Sequence, residues 1–600
     1  MMKHILIITL LWLQVQAIVA QSAQPSFAFT VAMENPSQHQ YQVTFNCNNV
    51  QKDWLDIKMP VWMPGYYQVM DYADNVSDFT VKDDKGVAIQ WEKADKNTWR
   101  VYSKQAAALQ VSYKVKTTRS FVATNYLDEE RGFIAPPGVF VHVAGYLQYP
   151  VSVRIVPYGK WNRIATGLEP VAGTANTFTA PDFDVLYDSP LLVGNLDELP
   201  SFTVKGLPHY FIGYQLGQFD RALFMEQLKK VVEAATDMMG DIPYKHYTFI
   251  SIGPGAGGIE HLNSAAVSFS GNNLTTVASM KGVLSFLGHE YFHHYNAKRI
   301  RPIELGPFDY DKGSRTNMLW VAEGVTAYYD DLLLRRAGIV SGDDLINTFA
   351  TSIKAFENKP GHLFQSVSQA SYDTWADGPF GRTGDDVNKT ISYYEKGPAL
   401  ALILDFKIRN ETKNKYSLDD VMRALYKEYY QQKHRGYTEA EFRAVCEKIA
   451  GTSLNEFFEY IYTVKEVDYP KYFAYAGLDV DTKSTALPGA WHGVAVRERN
   501  DSLMITNVDW NSPAWFAGIR PRQVLLSVNG EKASVQSVQA ITKDKKPGDI
   551  VHFQVAQASG VKDLSLILET KYEKPFTVTR VQHPTALQAA ILKDWLRGRE

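Results

Sequence analysis

The chain has 600 residues, 45% of them hydrophobic and 21% charged, with a formal net charge of -3. That length exceeds a single core and points to roughly three to five folded units. The composition is that of a globular chain and excludes a disordered or fibrous one, and the near-neutral balance excludes the electrostatic footprint of a nucleic-acid or anionic-membrane binder.

Residues 1–20 carry Lys3 and His4, then an apolar run from Ile5 to a small-residue end at Ala20. This is the pattern of a signal peptide. Gln14 and Gln16 interrupt the run, which is short for a bilayer span, and no cysteine near its end offers lipid attachment. The expectation is a bacterial protein, periplasmic or secreted, with no membrane contact after cleavage.

From 21 to 205 apolar residues recur at every second position, as in Tyr41, Val43, Phe45 and Leu109, Val111, Tyr113, Val115, with Pro-Gly turns at Pro64 and Pro137. This predicts an amino-terminal β domain. After Pro208 the period changes. Phe224, Leu228, Val231, Val232 and Ala235 are spaced for a helix, a strand follows over 247–252, and a mixed α/β unit is expected from 206 to 330. Helical segments over 319–337, 398–408 and 418–430 predict a helical domain from 331 to 474. Short strands return in 475–572, and 585–597 reads as one amphipathic helix in the tail 573–600. The fold class is therefore multidomain α+β. Cys47 and Cys446 lie far apart, in different predicted domains, and are expected to be unpaired; two cysteines make no thiolate zinc site.

The chemistry concentrates in HEYFH. A helix over 282–297 places His289 and His293 four residues apart on one face, where two imidazoles share one metal ion. Glu290 lies about 100° around that helix, beside the metal, where a carboxylate can take the proton of an attacking water. By chance H-E-x-x-H arises in about one or two of a hundred chains of this composition, so the motif carries weight unaided. A hydrolytic zinc site requires a third protein ligand and one open position. Glu323 is the candidate, 30 residues after His293 on a second helix that opens after 314–317, although a first-turn acid favoured by the helix dipole is the bland alternative. His294 points about 100° away from the ligand face and is left out. His261 stays open, since it lies in a glycine-rich loop beside another candidate.

These residues resemble those of the bacterial glycyl aminopeptidases, relatives of the aminopeptidase N group with a thermolysin-like catalytic domain. HEYFHHYNAKRIRP is similar to that family's zinc helix and LWVAEGVTAYY to its third-ligand helix. SYYEKGPALALILDFKIRNET with YSLDDVMRAL, and PVWMPGYYQVMDYADNV in the β domain, extend the match over nearly the whole mature chain. The resemblance implies an amino-terminal β-sandwich-like domain, one zinc ion per chain and a peptide substrate with a free amino terminus. It also implies that Gly258 and Glu260 of Gly-Gly-Ile-Glu-His bind the substrate, Glu260 through its α-ammonium, and that Tyr394 donates to the tetrahedral intermediate. Where the family carries a serine after Pro-Gly and a later arginine, this chain has Tyr66 and Met70, so a preference for a small first residue, glycine or alanine, is inherited from the resemblance alone.

NSPAWFAGIRPRQVLLSVNG resembles the core of a PDZ domain, with Arg522-Gln523 in place of Gly-Asp. That implies capture of a peptide carboxy terminus, with the loop 489–493 as its nest, or a packing role only. Three functions follow: an exported zinc aminopeptidase, a zinc endopeptidase that captures protein tails through the PDZ module, and a non-catalytic peptide-binding protein.

Overall fold

The computed structural model describes residues 24–376 and 387–599; the signal segment 1–20 lies outside them. The amino-terminal part is β-rich. Its seven-stranded sheet is built around Gln40–Asn48, which pairs with Ala108–Lys116 so that Tyr41, Val43 and Phe45 face Val115, Tyr113 and Val111. The period of two read from the sequence is thus the buried face of adjacent strands. Two four-stranded sheets close over the same core, where Phe29, Ile57, Trp99 and Phe133 are all buried.

A mixed sheet follows, with Leu207–Gly213, Tyr247–Ser251 and Ser264–Val267 parallel and Gly258–Glu260 antiparallel at its edge. The helix Arg221–Met239 crosses to it. Asp220 caps that helix through Leu223 N–H, and Gly240 ends it at φ +81°, a left-handed turn that costs glycine little. The helix Val277–Phe292 starts at a reciprocal cap between Thr276 and Ser279. It ends earlier than the 297 expected from sequence. His293 still donates its backbone N–H to His289 O at 3.2 Å, but the chain then folds back in tight turns through Asn296.

The following region is helical, including Thr326–Arg336, Tyr393–Glu411 and Leu418–Leu425. Glu323 does not sit on an ordinary α-helix. Trp320–Val325 is a π-helical turn running into Thr326–Arg336, a widened geometry that recurs at functional sites. Its Gly324 lies against Gly397 of Tyr393–Glu411 so closely that a Cβ on Gly397 would come within 2.5 Å of Gly324 Cα. Backbone faces backbone there, and no side chain can move aside. Gly397→Ala is expected to lower stability by about 1–3 kcal/mol through overpacking, read as a lower thermal midpoint of the full chain.

The carboxy-terminal strands Val494–Arg499, Ser502–Val508, Val524–Val528, Ile550–Gln557 and Gly560–Ile567 form one sheet with its own core. The helix Val535–Asp544 and the strand Gly560–Ile567 were not delineated by sequence pattern, because short half-exposed elements carry weak periodicity. The last helix, Ala586–Trp595, leaves this module and docks on the helical region. There Trp595 is buried against Phe349 and Phe406, and its indole N–H donates to Tyr328 Oη at 3.1 Å. Cys47 and Cys446 are buried in different cores and unpaired. Among the described residues no helix is long and apolar enough to cross a membrane.

Candidate metal centre and active site

His289, His293 and Glu323 converge, with one donor atom from each lying within 4.8 Å of the others. His293 Nε2 is 2.9 Å from His289 Nε2 and 3.1 Å from Glu323 Oε2, and His289 Nε2 is 3.6 Å from the same oxygen. The opposite ring nitrogens are occupied. His293 Nδ1 donates to the Asn296 carbonyl at 2.8 Å, and His289 Nδ1 to Asp330 Oδ2 at 3.2 Å. A carbonyl only accepts, so the proton of neutral His293 is on Nδ1 and its Nε2 lone pair faces that of His289. Two lone pairs and a buried carboxylate aimed at one point form an arrangement that a cation satisfies, and two imidazoles with one carboxylate suit catalytic zinc. The early end of the histidine helix thereby acquires a purpose, because the turn back to Asn296 orients the second ligand.

The clustered donors also shift one another's titration. Burial disfavours ionised Glu323, but the adjacent His293 and His289 hold its carboxyl well below the usual range. Burial likewise opposes protonation of His289, yet Asp330 and Glu323 outweigh it and raise the imidazole above its ordinary value. Glu290 stands apart from the converging atoms. Burial pushes its carboxyl up to about 7, against the pull of the two histidines. Gly258 lies directly against it, since a Cβ there would meet Glu290 Oε1 and Phe286 at 2.6 Å.

Glu260 is placed in the same site, buried at the end of the edge strand Gly258–Glu260. Lys298 Nζ lies 3.6 Å from its Oε1 and 2.9 Å from Asp188 Oδ1. Asp188 also accepts from His261 Nδ1 at 3.1 Å and from Leu262 N–H at 2.8 Å. His261 is thus tied to Asp188 and is not among the converging donors. His294 is fully buried with its ring against Tyr244, Tyr247 and Tyr291, away from the converging donors. The adjacent tyrosines also separate. Tyr393 is buried, its hydroxyl within 3.2 Å of Thr374 Oγ1, whereas Tyr394 stays partly exposed with its ring 6.1 Å from that of His289. Burial and the nearby Glu323 raise the Tyr394 phenol well above its ordinary pKa, which keeps it a hydrogen-bond donor.

Asp330, Lys298, Asp188 and Tyr67, whose hydroxyl donates to Glu323 Oε1 at 3.1 Å, were missed by sequence reasoning. Asp330 sits seven residues after Glu323, two turns along the same helical run, and that spacing is the signal that could have found it. Lys298 lies only five residues after His293, but nothing local marks its pairing with Asp188 and Glu260, and Asp188 and Tyr67 come from distant segments.

Residues 28–195 match the model of the peptidase M61 N-terminal domain, and residues 282–400 match that of the M61 glycyl aminopeptidase. Both stretches match the M61 peptidase family. The M61 match and the His-His-Glu donor set together support a zinc metallopeptidase. A crystal structure of an aminopeptidase N family protein from Idiomarina loihiensis shares the fold, with a TM-score of 0.86 and 24% identity over 95% of this chain and 100% of that one. An M1 zinc metallopeptidase from Deinococcus radiodurans aligns with a TM-score of 0.48 and 12% identity over 75% of this chain and 96% of that one. A probable CtpA-like serine protease from Staphylococcus aureus (strain bovine RF122 / ET3-1) is 29% identical over 116 residues, 17% of this chain. The chain spans about a quarter, 23%, of the length of that curated relative.

Proposed function

We propose that the protein is an exported zinc aminopeptidase that removes amino-terminal residues, small ones such as glycine or alanine, from peptides. The observation that carries this reading is the buried Glu260 carboxylate, on the edge strand beside Glu290 and the converging His289, His293 and Glu323. One zinc ion per chain would be held by His289 Nε2, His293 Nε2 and Glu323 Oε2. When bound, zinc supplies Lewis acidity toward the scissile carbonyl and toward water.

The residues of the chain do the rest. Glu260 accepts the substrate's α-ammonium, and Gly258 leaves the space in which the first peptide unit lies against the edge strand. Glu290 takes the proton of the attacking water and returns it to the leaving amine, a task suited by a carboxyl that burial lifts to about 7. Tyr394 donates to the oxyanion as it forms. Residues 1–20 support export to the periplasm or beyond.

The test is a pair of peptides identical except for amino-terminal acetylation. Only the free peptide is expected to be cleaved, and equal cleavage of both would overturn the aminopeptidase reading. Glu260→Gln keeps the shape but loses the charge. It is expected to lower kcat/KM on the free peptide about ten- to a hundredfold, the worth of a charge-assisted hydrogen bond.

The carboxy-terminal module supports a second role. Val494–Arg499 is the edge strand of its sheet, and the helix Val535–Asp544 packs against it. That leaves a strand edge for an extended peptide in the manner of a PDZ domain. Under the endopeptidase reading this edge would capture protein tails, and cleavage of the acetylated peptide would favour it.

A further inference from the structure

A loop of the amino-terminal β domain, residues 61–67, enters the metal centre. Val61, Trp62 and Tyr67 are buried within the core of the catalytic and helical regions and not in that of their own domain. The loop is pinned at several points. Trp62 Nε1 donates to the Asp309 carbonyl at 2.7 Å, its ring lies edge-on to Trp375 at 5.0 Å, and Val61 N–H donates to Tyr310 O at 2.9 Å. Gly65, at φ +90°, lies so near the edge strand that a Cβ would meet Ile259 Cγ2 at 2.7 Å and both Glu260 carboxylate oxygens at 3.0 Å. Tyr67 then reaches past Trp375 and donates its hydroxyl to Glu323 Oε1 at 3.1 Å, with both residues buried.

We infer that Tyr67 is a positioning residue of the zinc site: its phenol fixes the rotation of the Glu323 carboxylate so that Oε2 alone faces the metal. The two oxygens of Glu323 are used differently. Oε2 is the atom shared with His289 Nε2 and His293 Nε2, and Oε1 is the atom held by Tyr67. A carboxylate free to rotate would offer both oxygens and take up the coordination position that a hydrolytic site keeps open. A phenol suits the task because it donates without bringing a charge, so the ligand keeps its own. Groups that orient metal ligands in this way typically change metal affinity by about 10–100-fold when removed.

The inference rests on the zinc reading of the site, and the experiment separates the two. Zinc affinity of the full chain is measured by competition with a chelator for the wild type, Tyr67→Phe and Tyr66→Phe, alongside thermal unfolding of each metal-free protein. Tyr67→Phe is expected to bind zinc about 10–100-fold more weakly, with metal-free unfolding close to that of the wild type. Tyr66, whose ring packs on Phe121, serves as the neighbouring control and should leave affinity unchanged. Zinc bound equally well by Tyr67→Phe and the wild type would overturn the inference alone, as would equal weakening by both variants. A wild-type chain that holds no zinc would overturn the site reading as well. Cobalt substitution adds a readout blind to turnover, since a carboxylate released to bind through both oxygens changes the coordination number and hence the visible absorption of Tyr67→Phe.

Discussion

Glu290→Gln is expected to keep its zinc and lose about a thousandfold in kcat. General acid–base catalysis is worth about 10²–10⁴ in rate, and Glu290 would serve twice, first toward water and then toward the leaving amine. The substitution is close to isosteric, which matters here because Gly258 and Phe286 crowd the carboxylate. An amide at that position cannot accept the proton, while His289, His293 and Glu323 are untouched. Metal analysis and single-turnover hydrolysis of an aminoacyl amide check the two halves separately. Hydrolysis within tenfold of the wild type would rule out Glu290 as the base, and loss of zinc would mean that it also helps hold the metal.

Removing the metal should have the larger effect. Dialysis against a strong chelator is expected to abolish hydrolysis, and one equivalent of zinc per chain should restore it. His293→Ala should lose zinc outright and retain only the rate left by chelation. The reason is geometric, since His293 Nε2 is the donor nearest to both partners, at 2.9 and 3.1 Å. His294→Ala provides the contrast. Its ring is packed among tyrosines, so zinc content should stay at the wild-type level while stability falls because a buried ring is lost. Zinc lost from His294→Ala but kept in His293→Ala would invert the ligand assignment.

The parts of the site that were legible in the sequence are those set by spacing along one element. His289 and His293 are four residues apart, and that interval brings them to one face even though the helix ends at Phe292, because His293 keeps the hydrogen bond to His289 O. The alternation in 21–205 was legible for the same reason, since a strand with one buried face repeats every two residues. The π-helical turn at Trp320–Val325 was not, nor was the close approach of its Gly324 to Gly397, 73 positions away, because spacing along one element carries no record of what packs on it from another. Nor could spacing choose between Tyr393 and Tyr394. A partner at Thr374 occupies one hydroxyl, and the packing of Tyr393–Glu411 turns the other ring toward His289.

The sequence by itself determined the donor chemistry and its order along the chain: two imidazoles, a neighbouring carboxylate and a glycine-rich segment ending in Glu260. The tertiary structure alone decided what holds those groups in place. Asp330 and Asn296 orient the imidazoles, Lys298 bridges Glu260 and Asp188, and Tyr67 crosses from another domain to one oxygen of Glu323. Helical and strand periods reach only a few residues along the chain, whereas orienting a buried charge needs partners from every side; Asn296 is local to His293, but Asp330 meets His289, Asp188 meets Lys298 and Tyr67 meets Glu323 only through packing between elements far apart in sequence.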